Sequence, residues 1–174
     1  MAMRVRLRQA VPADADLLDR WQSPDYRGEF NDFGLPPRSV AGAIAENGLV
    51  DRERGSLIVE LVDSTPIGSV SWHGVRYGPD PRSLVWNIGI NLVPDARGQG
   101  LGGEAQRLLA NRLFATTTVN RVEAMTDVDN GPEQRALEKA GFVHEGVLRG
   151  AQFRAGRWHD IVVYSMLRPG PPTI

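Results

Sequence analysis

Arg97-Gly98-Gln99-Gly100-Leu101-Gly102-Gly103 decides how this chain is read. It joins a strand-like run, Leu84 to Val93, to a helix-like run, Glu104 to Thr116. A glycine-rich turn opening a helix offers several backbone N–H groups with no intrahelical partner, at the positive end of the helix dipole. Glycine reaches positive φ at little cost and lets an anion approach the backbone without a Cβ in the way. Arg97 adds a fixed charge whose forked donors suit phosphate oxygens. The stretch therefore predicts an anion site at a strand–helix junction.

Three phosphate-binding loops compete for it. A P-loop needs Gly-Lys-Ser/Thr at the helix start, and the one lysine of the chain is Lys139, which excludes that loop. Gly98, Gly100 and Gly103 satisfy G-x-G-x-x-G, with Glu123 or Asp127 as a following acid, the pattern of dinucleotide folds. In those folds the strand runs almost directly into the first glycine. Here Pro94, Asp95, Ala96 and Arg97 intervene. Third, Arg97-x-x-Gly100-x-Gly102 resembles the Q/R-x-x-G-x-G/A motif of the GNAT N-acetyltransferases.

The resemblance extends from Leu84 to Leu167. Trp86-Asn87-Ile88-Gly89-Ile90 is similar to the family's central strand. Asn130, Leu137-Glu138-Lys139-Ala140-Gly141-Phe142 and Glu145-Gly146-Val147-Leu148-Arg149 resemble the N-x-x-S-x-x-x-L-E-K-x-G-F-x-x-E-G-x-x-R run of the RimJ/RimL-type subgroup. It implies transfer of an acetyl group from acetyl-CoA (coenzyme A as co-substrate, no metal) to a primary amine, by direct attack in a ternary complex. The acceptor is then a small-molecule amine or a protein N-terminal α-amine. The cofactor-binding positions carried over are Val93, Arg97, Gly98, Gln99, Gly100, Leu101, Gly102, Gly103, Asn130 and Lys139. The pyrophosphate would lie on the glycine-turn amides, and Val93 and its neighbours would pair with the pantetheine arm. Asn130 has a second reading, as the cap of the helix behind it.

Gly89 and Asn91 inside a strand point to a bulge or a close backbone approach. A strand splayed there frees an N–H, at Asn91 or Leu92, for the thioester oxygen. The proton chemistry departs from the subgroup. Asn87 stands where relatives often carry a carboxylate, and Glu133 where they carry a serine. Glu133 and His73 join Asn91 and Leu92 as candidate catalytic residues; His144, Glu145, Asp160, Asp25, Glu29 and Asp32 are further candidates for the base. Glu145 is expected to pair with a cation such as Arg149. Deprotonating an α-amine at pH 7 needs about 1 kcal/mol, a lysine about 5. A site without an obvious base therefore favours an α-amine or another low-pKa amine.

For that acceptor, Trp21, Tyr26, Phe30 and Phe33 interleave with Glu29 and Asp32 in the first loop, and Asn87 and Trp158 border the same expected cleft. Aromatic walls with carboxylates suit an ammonium group. Two other functions remain open. One is a non-catalytic acyl-CoA-binding module, motivated by Asn87 and Glu133. The other is a transferase using a longer acyl-CoA or an aminoacyl-tRNA.

The 174 residues suffice for one domain, expected over residues 1–168, with a frayed tail at 169–174. The formal net charge of −1 gives no sign of nucleic-acid or membrane binding, and the absence of cysteine removes disulfides and thiolate chemistry. A cytoplasmic protein is expected, as monomer or homodimer, with no apolar run of membrane-spanning length. Hydrophobic alternation predicts strands at Arg4 to Arg8, Leu57 to Val62, Ile67 to Val75, Leu84 to Val93, Arg121 to Thr126, Phe142 to Phe153 and Trp158 to Leu167. Helices are expected from Pro12 to Trp21, after Ser39 to Asn47-Gly48, over Glu104 to Thr116 and from Pro132 to Gly141, with Ser23 to Pro37 as loop. The order gives an α/β fold: a mixed, mostly antiparallel sheet of about seven strands with helices on both faces.

Overall fold

A computed structural model describes residues 3–170; residues 171–174 of the expected tail lie outside the described residues. The elements follow in order β1 (Val5–Arg8), α1 (Ala15–Arg20), α2 (Pro24–Arg27), α3 (Ala41–Asn47), β2 (Arg54–Leu61), β3 (Pro66–Arg76) and β4 (Leu84–Leu92). Then come α4 (Leu101–Thr116), β5 (Arg121–Asp127), α5 (Gly131–Ala140), β6 (Val143–Arg154) and β7 (Arg157–Leu167). Seven strands form one sheet in the order β1-β2-β3-β4-β5-β7-β6. Every neighbouring pair is antiparallel except β4 with β5.

Strand alternation sorts β4 onto two faces. Trp86 and Ile88 enter the main core, with Ile90 and Leu92 packed against it, on the side covered by α4. Leu101, Ala105, Leu109 and Leu113 give α4 a stripe of buried residues at fourfold spacing, directed at the sheet. The opposite face carries the N-terminal helices, where Leu18, Trp21 and Ile44 cluster with Ile58 of β2 and with Val93. Helix α5 packs closely on α4 because Gly103 has no side chain: a Cβ there would lie 2.8 Å from the Ala136 carbonyl oxygen.

One departure from regularity positions the site. β4 and β5 pair only over Trp86↔Val122, Asn87↔Glu123 and Ile88↔Ala124. Beyond Ile88 the strands separate, so the last residues of β4 lack a partner on the β5 side. On the β3 side the register runs unbroken from Gly68↔Leu92 to Arg76↔Leu84. The expected bulge at Gly89 and Asn91 is therefore not formed; the irregularity is a parting of β4 from β5.

Other differences are local. A one-turn helix, α2, lies inside the segment expected to be loop, begun by Pro24 at a position where a missing N–H costs nothing. Helix α4 begins at Leu101 rather than Glu104, drawing Gly102 and Gly103 into its first turn. Ser39 does not cap α3; Val40 holds that position without a side-chain cap, and the Ser39 hydroxyl is 3.5 Å from the Ala41 N–H.

Candidate active site

The parted ends of β4 and β5, the turn before α4, the first turn of α5 and the loop after α2 enclose a cleft of about 710 Å³. Gly98 and Gly100 hold φ of 73° and 76°, a conformation that bends the chain into the helix start. The turn is braced from outside: Gln99 Nε2 donates to the Asp95 carbonyl at 2.6 Å, and Arg4 Nη1 donates to the Gln99 carbonyl at 3.0 Å. Leu101 is buried beneath it, while Gly98, Gly100, Gly102 and Gly103 line the cleft. At Gly98 a Cβ would meet nothing within 4 Å, so the turn presents open backbone to the cavity.

The β4 edge supplies the second wall. Val93 N–H donates to the Ile67 carbonyl at the start of β3, at 2.9 Å. By alternation the Asn91 N–H also faces β3, whereas the N–H and C=O of Ile90 and Leu92 face the cleft. Of the two expected oxyanion donors, Leu92 thus has the cleft-facing N–H. The carbonyls on this edge are occupied: Asn31 Nδ2 donates to Ile90 O at 3.2 Å, and Arg97 Nε donates to Leu92 O at 2.9 Å. Arg97 Nη2 also donates to the Tyr26 carbonyl of α2, so its fork clamps that helix onto β4. Asn91 lines the cleft, and its buried Oδ1 has no hydrogen-bond partner among the described residues. An open anion cradle, a row of strand-edge amides and an unanswered acceptor together fit a ligand with a phosphorylated end and an amide-bearing arm, as coenzyme A has.

Helix α5 forms the third wall. Asn130 caps it, its Oδ1 accepting from the Glu133 N–H at 3.4 Å while its Nδ2 donates to Thr126 Oγ1 at 2.9 Å, and it also faces the cleft. Glu133, in the first turn, lines the cleft as well. Desolvation between α4 and α5 pushes its carboxyl up from an ordinary 4.5 to about 7, opposed only by the amide of Gln106. Gln106 is fully buried on α4, and its Nε2 donates to the Gly102 carbonyl at 3.3 Å. Lys139 and Arg135 stand on the exposed side of α5 at the cleft wall.

From the first loop, Glu29 and Phe30 line the cleft, together with Arg27, Gly28 and Asn31. Arg154 holds this loop down: its guanidinium lies 5.5 Å from the Phe30 ring centre and joins a buried group with Asp127 and His159. The other acceptor-side expectations do not line the cleft. Trp21 is buried in the second core cluster, with Tyr26 packed against it. Asp32 Oδ1 accepts from the Gly34 N–H at 3.0 Å, and Phe33 is exposed. Trp158 packs edge-on against Phe153 on the outer hairpin. His73 and Asn87 face each other across β3 and β4, where β4 is still paired with β5, short of the parting point. Asn87 Nδ2 donates to Glu123 Oε1 at 3.3 Å.

Several candidate bases have structural partners instead. Glu145 is bound by Arg121 through two 2.6 Å contacts and by the Ser165 hydroxyl, which hold its carboxyl down to about 2. Its partner is thus Arg121, not Arg149. Asp160 Oδ1 accepts from the Gly150 N–H at 2.7 Å, and His144 packs against Tyr164. Among the described residues, Glu29 and Glu133 are the carboxylic acids that line the cleft. Asn31, Arg135 and Gln106 carry no motif, and only folding brings them to the site.

The Acetyltransferase (GNAT) domain family matches residues 4–143. An uncharacterized N-acetyltransferase of Bacillus licheniformis, p20, is 28% identical over 171 residues, covering 95% of this chain and 93% of its own. RimL, a ribosomal L7/L12 alpha-N-protein acetyltransferase solved with coenzyme A, superposes with a TM-score of 0.78 at 17% identity, over 95% of each chain. A spermidine N-acetyltransferase from Vibrio cholerae, solved with CoA and spermine, does so with a TM-score of 0.77 at 19% identity, over 96% of this chain and 97% of the other. At those identities the two structures speak for the fold, and the family match speaks for the sequence. The chain belongs to the GNAT acetyltransferases.

Proposed function

We propose that this enzyme moves the acetyl group of acetyl-CoA directly onto a primary amine held in the same cleft. The observation that carries the reading is the adjacency of two features: the glycine turn opening α4 and the unpaired edge of β4. One takes the pyrophosphate, on the backbone N–H groups of residues 98–103. The other takes carbonyls of the pantetheine arm and its thioester on the cleft-facing N–H groups of Ile90 and Leu92, whose own carbonyls are held by Asn31 and Arg97. Their meeting is what a molecule with both ends requires.

In this reading Leu92 N–H, fixed by the β3 ladder, points at the developing oxyanion and needs no reorganisation as charge builds. The amine arrives from the sheet face that carries Asn91, His73 and Asn87. The unanswered Asn91 Oδ1 accepts one of its N–H groups and helps set its line of approach. Arg97 orders the site by clamping α2 to the end of β4, and Lys139 and Arg135 add positive charge along the cofactor wall.

Among acceptors, an α-amine or a low-pKa small-molecule amine is favoured. Among the described residues the carboxylates lining the cleft are Glu29 and Glu133, and none of the strand histidines lines it. An amine near pKa 8 needs about 1 kcal/mol to lose its proton at pH 7, well within reach of water and a loop carboxylate. The RimL and spermidine enzymes, whose names give a protein N-terminus and a polyamine, represent the two acceptor classes to screen.

Calorimetric titration with acetyl-CoA, CoA and NAD, on wild type and Gly100→Asp, tests the cofactor. Micromolar binding of both CoA forms, lost in Gly100→Asp, is expected; binding of NAD alone overturns the reading. Thiol release in a panel of peptides, polyamines and aminoglycosides then tests transfer. CoA binding without release from any amine would favour a non-catalytic acyl-CoA module.

A further inference from the structure

Two cations on the cleft wall have nothing to hold. Of the basic residues lining the cleft, Arg97 commits Nε and Nη2 to the Leu92 and Tyr26 carbonyls, and Arg27 Nη1 donates to the Leu35 carbonyl at 3.2 Å. Arg135 and Lys139 are exposed, and neither belongs to an ion pair of the described residues. The glycine turn offers a phosphate only neutral N–H groups. In the reading above those groups take the pyrophosphate. Coenzyme A carries one phosphate more, a monoester on the adenosine ribose with about −1.5 to −2 charge at pH 7.

We propose that Arg135 and Lys139 form a clamp for this 3′-phosphate and so make the enzyme select coenzyme A over its dephosphorylated form. This rests on the acetyl-CoA reading of the cleft.

The placement follows from how α4 and α5 meet. A Cβ on Gly103 would touch the Ala136 carbonyl, while Gln106 reaches Glu133, so three residues forward along α4 match three back along α5. The helices run antiparallel. Carried three residues the other way, the same register sets Lys139 level with Gly100, at the outer end of the glycine turn. Pro132, Arg135, Ala136 and Lys139 all line the cleft, at the spacing of three and four residues that makes one stripe of a helix. That stripe leads from the parted strands, where Asn130 bonds Thr126 of β5, to the mouth of the phosphate cradle.

Arg135 stands one turn from Lys139, close enough for both side chains to meet a single phosphate. Its guanidinium lies back along α5, with Nη1 3.1 Å from the place a Cβ of Gly131 would take. Turning it toward the cradle breaks no ion pair. The arginine fork can engage two phosphate oxygens at once, and the lysine adds a compact charge beside it. Because both groups stand in open cleft wall, each contributes a few-fold to affinity and the pair about tenfold.

The test is calorimetric titration of wild type, Arg135→Gln, Lys139→Gln and the double variant with CoA and with dephospho-CoA. Wild type should prefer CoA about tenfold. Each single variant should lose part of that preference. The double variant should bind both forms alike, at the affinity wild type shows for dephospho-CoA, and that unchanged affinity also reports an intact fold. Arg107→Gln, at an exposed position of α4 outside the cleft lining, should keep the whole preference. Wild type that binds both forms equally overturns the clamp while the acetyl-CoA reading stands. A double variant that weakens both forms alike also overturns it, since the cations then serve the pyrophosphate. Equal loss of preference in Arg107→Gln does the same, by assigning the effect to overall charge. Wild type that binds neither form overturns the acetyl-CoA reading and the clamp with it.

Discussion

Arg97 directs its Nε–H at the carbonyl of Leu92, 2.9 Å away, so the first residue of the phosphate-binding motif grips the strand edge that faces the cofactor cleft. The same guanidinium reaches the Tyr26 carbonyl with Nη2. A motif arginine expected to meet phosphate therefore also ties three segments together: α2, the end of β4 and the glycine turn. The planar fork reaches the two carbonyls with separate nitrogens, Nε and Nη2, whereas the three N–H donors of a lysine all sit on one atom.

Arg97→Lys should accordingly behave like Arg97→Ala. Both should raise the KM for acetyl-CoA by roughly tenfold, the value of one or two hydrogen bonds of about 1 kcal/mol each. Initial-rate kinetics on the three proteins decides the matter. Recovery of wild-type KM by lysine would show that positive charge, not the clamp, is what matters.

The glycines of the turn should not be equivalent. At Gly103 a Cβ would sit 2.8 Å from the backbone oxygen of Ala136, which cannot move without displacing α5. At Gly102 the nearest atoms are the flexible ends of Leu92 and Ile90, at 3.6 and 3.7 Å. Gly103→Ala should destabilise by about 1–3 kcal/mol, lowering Tm by several degrees, while Gly102→Ala should leave Tm near wild type. Thermal unfolding followed by circular dichroism separates them. Equal Tm values would mean that the α4–α5 contact yields without cost.

Burial of Glu133 should be visible in stability. Its carboxyl titrates near 4.5 in the unfolded chain and at about 7 in the fold. Between those values the folded protein binds the extra proton, so stability falls as pH rises through that window. A fully realised shift corresponds to about 3 kcal/mol, and partial exposure to the cleft reduces it to about 1–2 kcal/mol. Glu133→Gln should match wild type at pH 5 and unfold a few degrees higher at pH 8. A difference independent of pH would mean that the carboxyl is not desolvated.

Much of this architecture was legible in the sequence, for physical reasons that also explain the misses. Alternation in β4 and the stripe of α4 are local patterns, set by burial on one face, and they gave the sheet and its covering helix. The glycine turn was legible because positive φ at Gly98 and Gly100 leaves few other residues possible. The start of α4 was read late because glycine is a poor helix former. Gly102 and Gly103 sit in the first turn, however, where the N–H groups need no intrahelical partner, and close packing on Ala136 offsets the propensity cost. Arg149, four residues from Glu145, looked like its partner. The sheet instead brings in Arg121 from β5, beyond the intervening β7, a contact no local spacing encodes. Asn31 and Gln106 escaped for the same reason. Their roles exist only once a loop and a helix face converge on the β4 edge.

The acceptor loop should owe its position to a buried charge cluster that lies outside the glycine turn altogether. Asp127, at the end of β5, is 3% exposed and meets both Arg154 Nη2 and His159 Nδ1, the latter at 2.7 Å. Desolvation pulls its carboxyl upward, yet the Asp129 N–H, Arg154 and His159 together hold it below the ordinary 3.8. Its ionised form thus stabilises the fold above the unfolded value, and that stability is lost as pH falls through the lower folded one. Asp127→Asn leaves the Arg154 guanidinium buried without a counter-charge, a change that costs about 3–5 kcal/mol. Tm should drop by roughly 10 °C. Since Arg154 also covers Phe30, the surviving fold should show a raised KM for the amine with less effect on acetyl-CoA. Removing the charge from both sides separates the two effects: Asp127→Asn with Arg154→Met should regain much of the stability while the amine KM stays high. Recovery of both together would show that Arg154 acts on the fold alone and leaves the acceptor loop to hold itself.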